Sequence, residues 1–434
     1  MIFERPLMLA TRFLGRKGAG GFSRHVIGAV IGITISIIPL VVVLEVTNGM
    51  ISGITQRYLE IGTYHIQVRN PVGVSRKDES GVIDIINSIE GVKTVFPVVT
   101  GVGLAYSGNA RTGVALKGYR ADYWKNDPGI RKYLKIESGA FDLSEENYAL
   151  VSSEAAKTLK IKIGDTFKLL TAKKLKNGKT LLKPSYFTVK GIFSTGYYEL
   201  DSISVYINIE RGSKLFNSPD ARFLGVKIDN PDRDIPKISR LIKAKLPFRW
   251  YVFTWYELQK PMYESFASTK KMLLFIMLLI VLVASVNIAS ALTMLVIEKE
   301  MDLAILKSTG IHSDVIVSSY VYSGFLIGLS GTVLGIIIGL MFAVNINELF
   351  HGIEYIINSG RYLIHLAAVP FVNKPFSKVV LLSSAYYLDY IPVKVRFIDI
   401  LFIGVSAVSL STAAAVIPAV RAGRLKPMEV IRRH

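Results

Sequence analysis

The stretch Met272–Ile297, MLLFIMLLIVLVASVNIASALTMLVI, runs without a charge from Lys271 to Glu298. As a helix it is long enough to cross the ~30 Å hydrocarbon layer of a bilayer, for which ~20 apolar residues suffice. Three further uncharged windows repeat the signal: Val26–Leu44 between His25 and Glu45, Val315–Asn347 between Asp314 and Glu348, and Ile400–Val420 between Asp399 and Arg421. A single window of this kind also occurs as the buried helix of a large soluble α-protein, but four in one chain of 434 residues predict four membrane-spanning helices. Composition agrees, with half the residues hydrophobic, a fifth charged and a mean hydropathy of +0.39. Such a chain is too apolar to be disordered.

The 52 Lys plus Arg against 33 Asp plus Glu give a formal charge of +19. On so apolar a chain this points to a membrane surface as readily as to nucleic acid. There is no cysteine, which excludes disulfide scaffolds, thiol nucleophiles and thiolate zinc sites.

The basic residues Arg16, Lys17 and Arg24 ahead of the first window would suit a secretory signal. The window is too long for the apolar part of one, and Glu45-Val46-Thr47-Asn48 is a poor cleavage site, so the helix is expected to be retained. Arg5, Arg12, Arg16, Lys17 and Arg24 precede this span, and Arg421, Arg424, Lys426, Arg432 and Arg433 follow the last one. The excess of short-range cations predicts both termini in the cytoplasm. The expected order is a cytoplasmic segment 1–25, span 26–47, an outer domain 48–270, span 271–297, a cytoplasmic connection 298–314, span 315–344, an outer loop 345–397, span 398–420 and a cytoplasmic tail 421–434.

The outer domain reads as α+β. Asp78-Glu79-Ser80 can cap a helix over about Gly81–Ile89, and Val92–Tyr106 alternates like strands. Ser152 and Ser153 can cap a short helix to about Leu159; Thr166–Thr171, Tyr186–Phe193, Ile203–Ile209 and Arg222–Ile228 read as strands. Asp234–Leu246 puts Ile235, Ile238, Leu241, Ile242 and Leu246 on one helical face.

Catalytic constellations are missing from the sequence. The six histidines are scattered without an H-E-x-x-H pair, so no metal site is expected, and there is no G-x-S-x-G elbow. The glycine-rich Gly15–Gly21 (GRKGAGG) has Lys17 inside the run, where a phosphate loop needs Lys after its second glycine and then Ser or Thr. It reads as a basic linker at the membrane surface. The chain is therefore expected not to be an enzyme, and any ATP-driven work would need a separate ATPase.

The segment Asn287–Gly310 (NIASALTMLVIEKEMDLAILKSTG) resembles the cytoplasmic coupling segment of the MacB/FtsX-type ABC permease superfamily. Further pieces narrow the likeness: Asn48-Gly49-Met50, Phe96–Gly101 (FPVVTG), Ala149–Ser152 leading to Ile163-Gly164-Asp165, Gly191–Ser202 (GIFSTGYYELDS) and Ile417–Arg432 (IPAVRAGRLKPMEVIR). Together, in this order, they resemble the lipoprotein-releasing permease family LolC/LolE from about residue 7 to the C-terminus. The resemblance implies an integral membrane α-helical protein with four transmembrane helices and a large α+β extracytoplasmic domain, a MacB-type ABC permease. It implies the bacterial inner membrane, extraction of triacylated lipoproteins from the outer leaflet, two copies of a LolD-like ATPase and a LolA-like periplasmic carrier. A second LolC/LolE-type subunit, or a second copy of this chain, would complete the assembly. No cofactor is expected in this chain, since ATP and Mg would bind the ATPase, and no nucleic acid. A MacB-like efflux permease and an FtsX-like regulator that transports nothing stay open as alternatives, with membrane lipid chemistry a more distant third.

On that resemblance the ATPase-coupling residues are Glu298, Lys299, Met301, Asp302, Leu303, Ile305, Leu306 and Lys307. Met301, Ala304, Ile305 and Ser308 can face one way while Glu298, Lys299, Asp302 and Lys307 face water or a partner, although a short mixed-charge loop is also simply a solvated turn. The lipoprotein cavity would draw on Leu44, Val46, Met50 and Ile54 with Phe266, Met272, Phe275 and Met277, side chains that equally suit lipid-facing or packing surfaces. Glu45 stands where the family suggests a small residue; it is either a functional carboxylate or one that snorkels to the interface. Pro39 should kink the first span. The loop Ala172–Tyr186 takes the place of the carrier-docking element, with Lys173, Lys174, Lys176, Lys179, Lys183 and Pro184, and reads equally as a solvated hairpin turning at Asn177-Gly178. Gly324/Gly328 and Gly331/Gly335/Gly339 form a close-packing ridge assigned to structure. The outer loop around Ile353–Tyr390 is longer than the family suggests.

Overall fold

The computed structural model describes residues 4–14, 23–70, 76–174, 180–216, 218–368, 378–381, 390–428 and 430. Four long apolar helices stand where the charge-free windows lie: helix one Arg24–Arg57, helix two Lys260–Glu298, helix three Ser313–Val344 and helix four Phe397–Gly423. Helices one, two and four outrun their windows at both ends, because polar residues extend a helix once an apolar core anchors it, whereas helix three stops at Val344, short of the window's end at Asn347. Helix one continues through Pro39 to Arg57, ten residues beyond the expected end of the span at 47.

The chain divides into two units, one of Met1–Met50, Ser265–Tyr355 and Ile391–His434, the other of Ile51–Glu264 and Ile356–Tyr390. The core of the first holds Ile33, Ile37 and Val41 of helix one, Ile288 and Leu292 of helix two, Ile327 of helix three and Ala407 and Ala415 of helix four. The glycines of helix three explain how closely these helices approach. A Cβ on Gly331, Gly335 or Gly339 would lie 2.8, 2.8 and 2.9 Å from the Cβ atoms of Ile33, Ile37 and Val41. One on Gly324 or Gly328 would lie 2.2 or 2.5 Å from the Cβ of Ala415 or Ser411. These distances are well inside carbon van der Waals contact, so the ridge serves packing within one chain, against helix one on one side and helix four on the other. A short helix, Glu4–Leu14, adds Phe13, whose ring stacks on Tyr320 at 5.1 Å.

The second unit is built on a mixed sheet. Its strands are β1 Ile66–Arg69, β2 Val92–Ser107, β3 Ala110–Tyr119, β4 Lys135–Gly139, β5 Tyr148–Ser152, β6 Thr166–Lys174, β7 Thr180–Ser194, β8 Ser204–Asn208, β9 Arg222–Ile228 and β10 Tyr251–Thr254. The order is β10-β1-β9-β2-β3-β8-β5-β7-β4, with β6 pairing both β2 and β7. β2 turns into β3 over Gly108-Asn109, and Gly108 takes φ +55°, the left-handed conformation a two-residue hairpin needs. The helices Arg76–Asn87 and Pro231–Lys245 cover β1 and β9 through Val82, Ile86, Ile235, Ile238 and Ile242.

The strand expected at Arg222–Ile228 has those bounds, and the other sequence-expected strands lie within β2, β6, β7 and β8 apart from the two end residues Ile203 and Ile209. Leu241, expected on the buried helical face, is instead exposed, since it sits a full 100° around the helix from Ile242. The outer loop expected at 345–397 contains a helix, Ile346–Ala368.

Candidate functional site

Helices one and two enclose an apolar hollow of about 140 Å³ lined by Pro39, Leu40, Val43, Leu44, Leu273, Ile276, Met277 and Ile280. Of the residues expected to form a cavity, Leu44 and Met277 line it. Met272 and Phe275 point outward as exposed side chains, Val46, Met50 and Phe266 are half-buried, and Ile54 is buried within the other unit. The additional lining residues follow Leu44 and Met277 at helical spacing, a signal that was present in the sequence. Pro39 belongs to this lining.

Beside the hollow, a polar network ties three helices together. Lys270 Nζ of helix two donates to Asn48 Oδ1 of helix one at 3.1 Å and to Asp399 Oδ2 of helix four at 2.7 Å. Asn48 Nδ2 donates to the same Asp399 oxygen at 2.9 Å. Glu45 is fully buried and its Oε2 accepts the Arg396 backbone N–H at 3.2 Å, so it does not snorkel. Sequence reasoning singled out Glu45 but missed its partners, which lie some 350 positions away in the chain, |i−j| = 351.

The segment expected to couple to an ATPase is a helix, Glu300–Ser308, hinged off helix two at Lys299. Its expected faces need correction. Leu303 and Ala304 are buried, whereas Ile305 is exposed. Lys299 is buried and lies 3.9 Å from Asp302. Lys307 does not face water, since its Nζ donates to the Gly423 and Leu425 carbonyls at the end of helix four, both at 2.8 Å. Helical phase accounts for this: 303 and 307 lie one turn apart on the inward face. Met301, Asp302 and Leu306 are half-buried, and Glu298 is exposed, with Oε2 accepting from the Ser23 hydroxyl. Thr293, Val296, Ile297, Glu300, Pro418, Arg421 and Leu425 line a neighbouring hollow of about 210 Å³.

In the sheet unit, β6 and β7 form a long hairpin paired out to Lys174 and Thr180. Lys173, Lys174, Lys183 and Pro184 stand on its strands, and Pro184 is exposed. Lys176, Lys179 and the Asn177-Gly178 turn lie outside the described residues.

The segment leaving helix one is bolted into the sheet. A π-helical turn, Tyr58–Thr63, presents Glu60 to Lys227 Nζ at 2.7 Å, and Lys227 also meets Asp127, with all three inside the unit. Lys117 Nζ donates to the Ile61 and Gly62 carbonyls at 2.8 and 3.0 Å. Tyr64 follows at φ +62°, buried, with its hydroxyl 3.0 Å from that of Tyr123. Its ring occupies the space that a Cβ on Gly225 would fill, 2.6 Å away. None of this was legible from spacing. Among the described residues no cluster of His, Asp and Glu suited to a metal ion occurs.

Residues 26–244 match the family of the MacB-like periplasmic core domain, and residues 274–427 match the FtsX-like permease C-terminal family. Four apolar helices, a mixed α+β domain between the first two and a short helix between the second and third define a MacB/FtsX-type ABC permease. Within that class the chain belongs to the LolC/LolE family. It is 23% identical to the lipoprotein-releasing system transmembrane protein LolC of Neisseria meningitidis serogroup B, covering 99% of this chain and 100% of that one. It is 24% identical to LolC of Xylella fastidiosa, with 98% and 99% covered, and 25% identical to LolE of Haemophilus influenzae, with 93% of each covered.

Proposed function

We propose that this chain is a permease subunit that extracts lipoproteins from the outer leaflet of a bacterial inner membrane and hands them to a soluble periplasmic carrier. The observation that carries this reading is the near end-to-end likeness to both LolC and LolE, proteins whose names describe lipoprotein release. A separate LolD-like ATPase, in two copies, supplies the energy by binding ATP and Mg. A second LolC/LolE-type subunit or a second copy of this chain completes the complex, and a LolA-like carrier receives the cargo.

In this reading the hollow between helices one and two accepts acyl chains of a triacylated lipoprotein. Its lining is aliphatic with one flexible thioether, Met277, so it fits chains by area and not by exact shape. The Glu300–Ser308 helix receives force from the ATPase through the exposed Ile305, with Met301 and Glu298 beside it, while Leu303 and Lys307 carry that force inward to the ends of helices two and four. A stiff element bonded at both ends transmits a displacement where a solvated loop would absorb it. The Lys-rich hairpin β6–β7 docks the carrier.

Depletion of the protein, followed by fractionation of a lipoprotein destined for the outer membrane, tests the reading. Accumulation in the inner membrane, reversed by the wild type and not by Met301→Glu/Ile305→Ala, is the expected result. Unchanged sorting with altered division would sink it in favour of a regulatory role, and unchanged sorting with altered drug sensitivity would favour efflux.

A further inference from the structure

The helix Ile346–Ala368 leaves apolar side chains outward where a helix on a water-soluble surface would bury them. At 100° per residue, Ile346, Leu349, Ile353, Ile356 and Leu363 share one arc, and Asn347, Glu354, Asn358 and Arg361 share the other. Within the polar arc Asn347 and Asn358 are turned to protein, Glu354 is half-buried and Arg361 is exposed. Asn347 donates to the Ile391 carbonyl and accepts from the Ile391 N–H, both at 3.0 Å. Asn358 does the same with Val379, both at 2.8 Å. The returning chain thus pins the helix through its two asparagines. The apolar arc is turned out, with Ile353 47%, Ile356 70% and Leu363 66% exposed.

We propose that this helix is an interfacial membrane helix whose Ile353, Ile356 and Leu363 are embedded in lipid. Outward apolar side chains are costly in water, in proportion to their exposed area, and the cost vanishes in hydrocarbon. The helix also follows directly on a membrane-length helix. Ile337, Met341 and Val344 of helix three are exposed in the manner of lipid-facing residues, and the new helix begins after a single intervening residue, Asn345. Its charged residues, Glu348, Glu354 and Arg361, show no surplus of cations, so the attraction is apolar and needs no anionic headgroup.

The inference rests on the membrane placement of the four long helices, and a test can check both at once. Because the chain has no cysteine, Ile356→Cys, Leu363→Cys, Ile337→Cys and Arg111→Cys each give a single site for a nitroxide label in the full chain, reconstituted into phosphatidylcholine vesicles. Ile337 serves as the lipid reference, and Arg111, exposed at the start of β3, as the water reference. Labels at 356 and 363 are expected to match Ile337, open to oxygen and closed to a water-soluble nickel chelate. Nickel access equal to that at Arg111 would overturn the proposal in favour of a solvated helix. Closure to both probes would overturn it in favour of a protein partner or second copy seated on this face. Nickel access at Ile337 itself would show that the placement of the long helices has failed, a separate and recognisable result.

Discussion

Lys117 and Lys227 lie in the same sheet unit in opposite surroundings. Lys227 is flanked by the carboxylates of Glu60 and Asp127. The Lys117 ammonium donates to two backbone carbonyls, and burial pushes its pKa down from 10.5 to about 8. A lysine whose folded pKa is depressed holds fewer protons than the unfolded chain between those two values, so stability should rise with pH across that window and gain nothing below it. Trp124, Trp250 and Trp255 are the three tryptophans and all lie in this unit, so intrinsic fluorescence reports its unfolding in the intact protein. The denaturant midpoint should increase from about pH 8 to about pH 9.5, before tyrosines titrate. Lys117→Met should flatten the rise; a midpoint that climbs equally in that variant would refute the assignment. A second residue-scale expectation concerns Lys270, whose loss leaves Asp399 without its 2.7 Å partner. Lys270→Met should destabilise the helical unit by up to about 3 kcal/mol, discounted for partial exposure, and Lys270→Met/Asp399→Asn should recover part of it. Thermal unfolding in detergent measures both.

At the scale of elements, the coupling helix separates two roles that its sequence runs together. Leu303→Ala removes a buried side chain and should lower stability by about 2–5 kcal/mol. Ile305→Ala touches an exposed one, and should leave unfolding unchanged while reducing ATP-driven release. If Ile305→Ala released lipoprotein at the wild-type rate, the docking role would fall. Helix three offers a packing counterpart. Gly335→Leu places a side chain where even a Cβ would be 2.8 Å from Ile37, and should cost about 1–3 kcal/mol or more in the same unfolding measurement. The helices were legible because uncharged runs of this length have few other uses. The strand Arg222–Ile228 was legible because its Phe223, Leu224, Val226 and Ile228 are bounded by polar turns. β3 was not, since ARTGVALKGY mixes glycine and charge with its apolar residues and is defined by its partners β2 and β8.

For the whole molecule, the proposed carrier docking has an electrostatic signature. The stretch Ala172–Tyr186 holds five lysines and no acid. Capture of a LolA-like carrier by the full chain should therefore weaken steeply as salt is raised, and Lys173→Ala/Lys174→Ala should lessen that salt dependence. Binding that ignores salt would assign docking elsewhere. Contiguity along the chain explains why the candidate sites were unevenly readable. The coupling segment is contiguous in sequence, so its position was evident from the chain alone, but the inward and outward assignment of its residues required helical phase set by helix four. The hollow proposed to take acyl chains is divided between residues 39–44 and 273–280, so only its general location could be read, and two of eight named residues line it.

The amino-acid sequence by itself determined four membrane-length helices, an α+β domain placed between the first two and the absence of thiol chemistry. These are properties of composition, run length and local order, which act within a few turns of chain. Tertiary structure alone decided that Glu45 is buried, that Lys270 joins Asn48 to Asp399, that Leu303 and Lys307 face inward, and that the helix after Asn345 turns its apolar side out. Each of those depends on groups tens to hundreds of residues apart meeting at hydrogen-bond or van der Waals distance, and no periodicity in the chain encodes such a meeting.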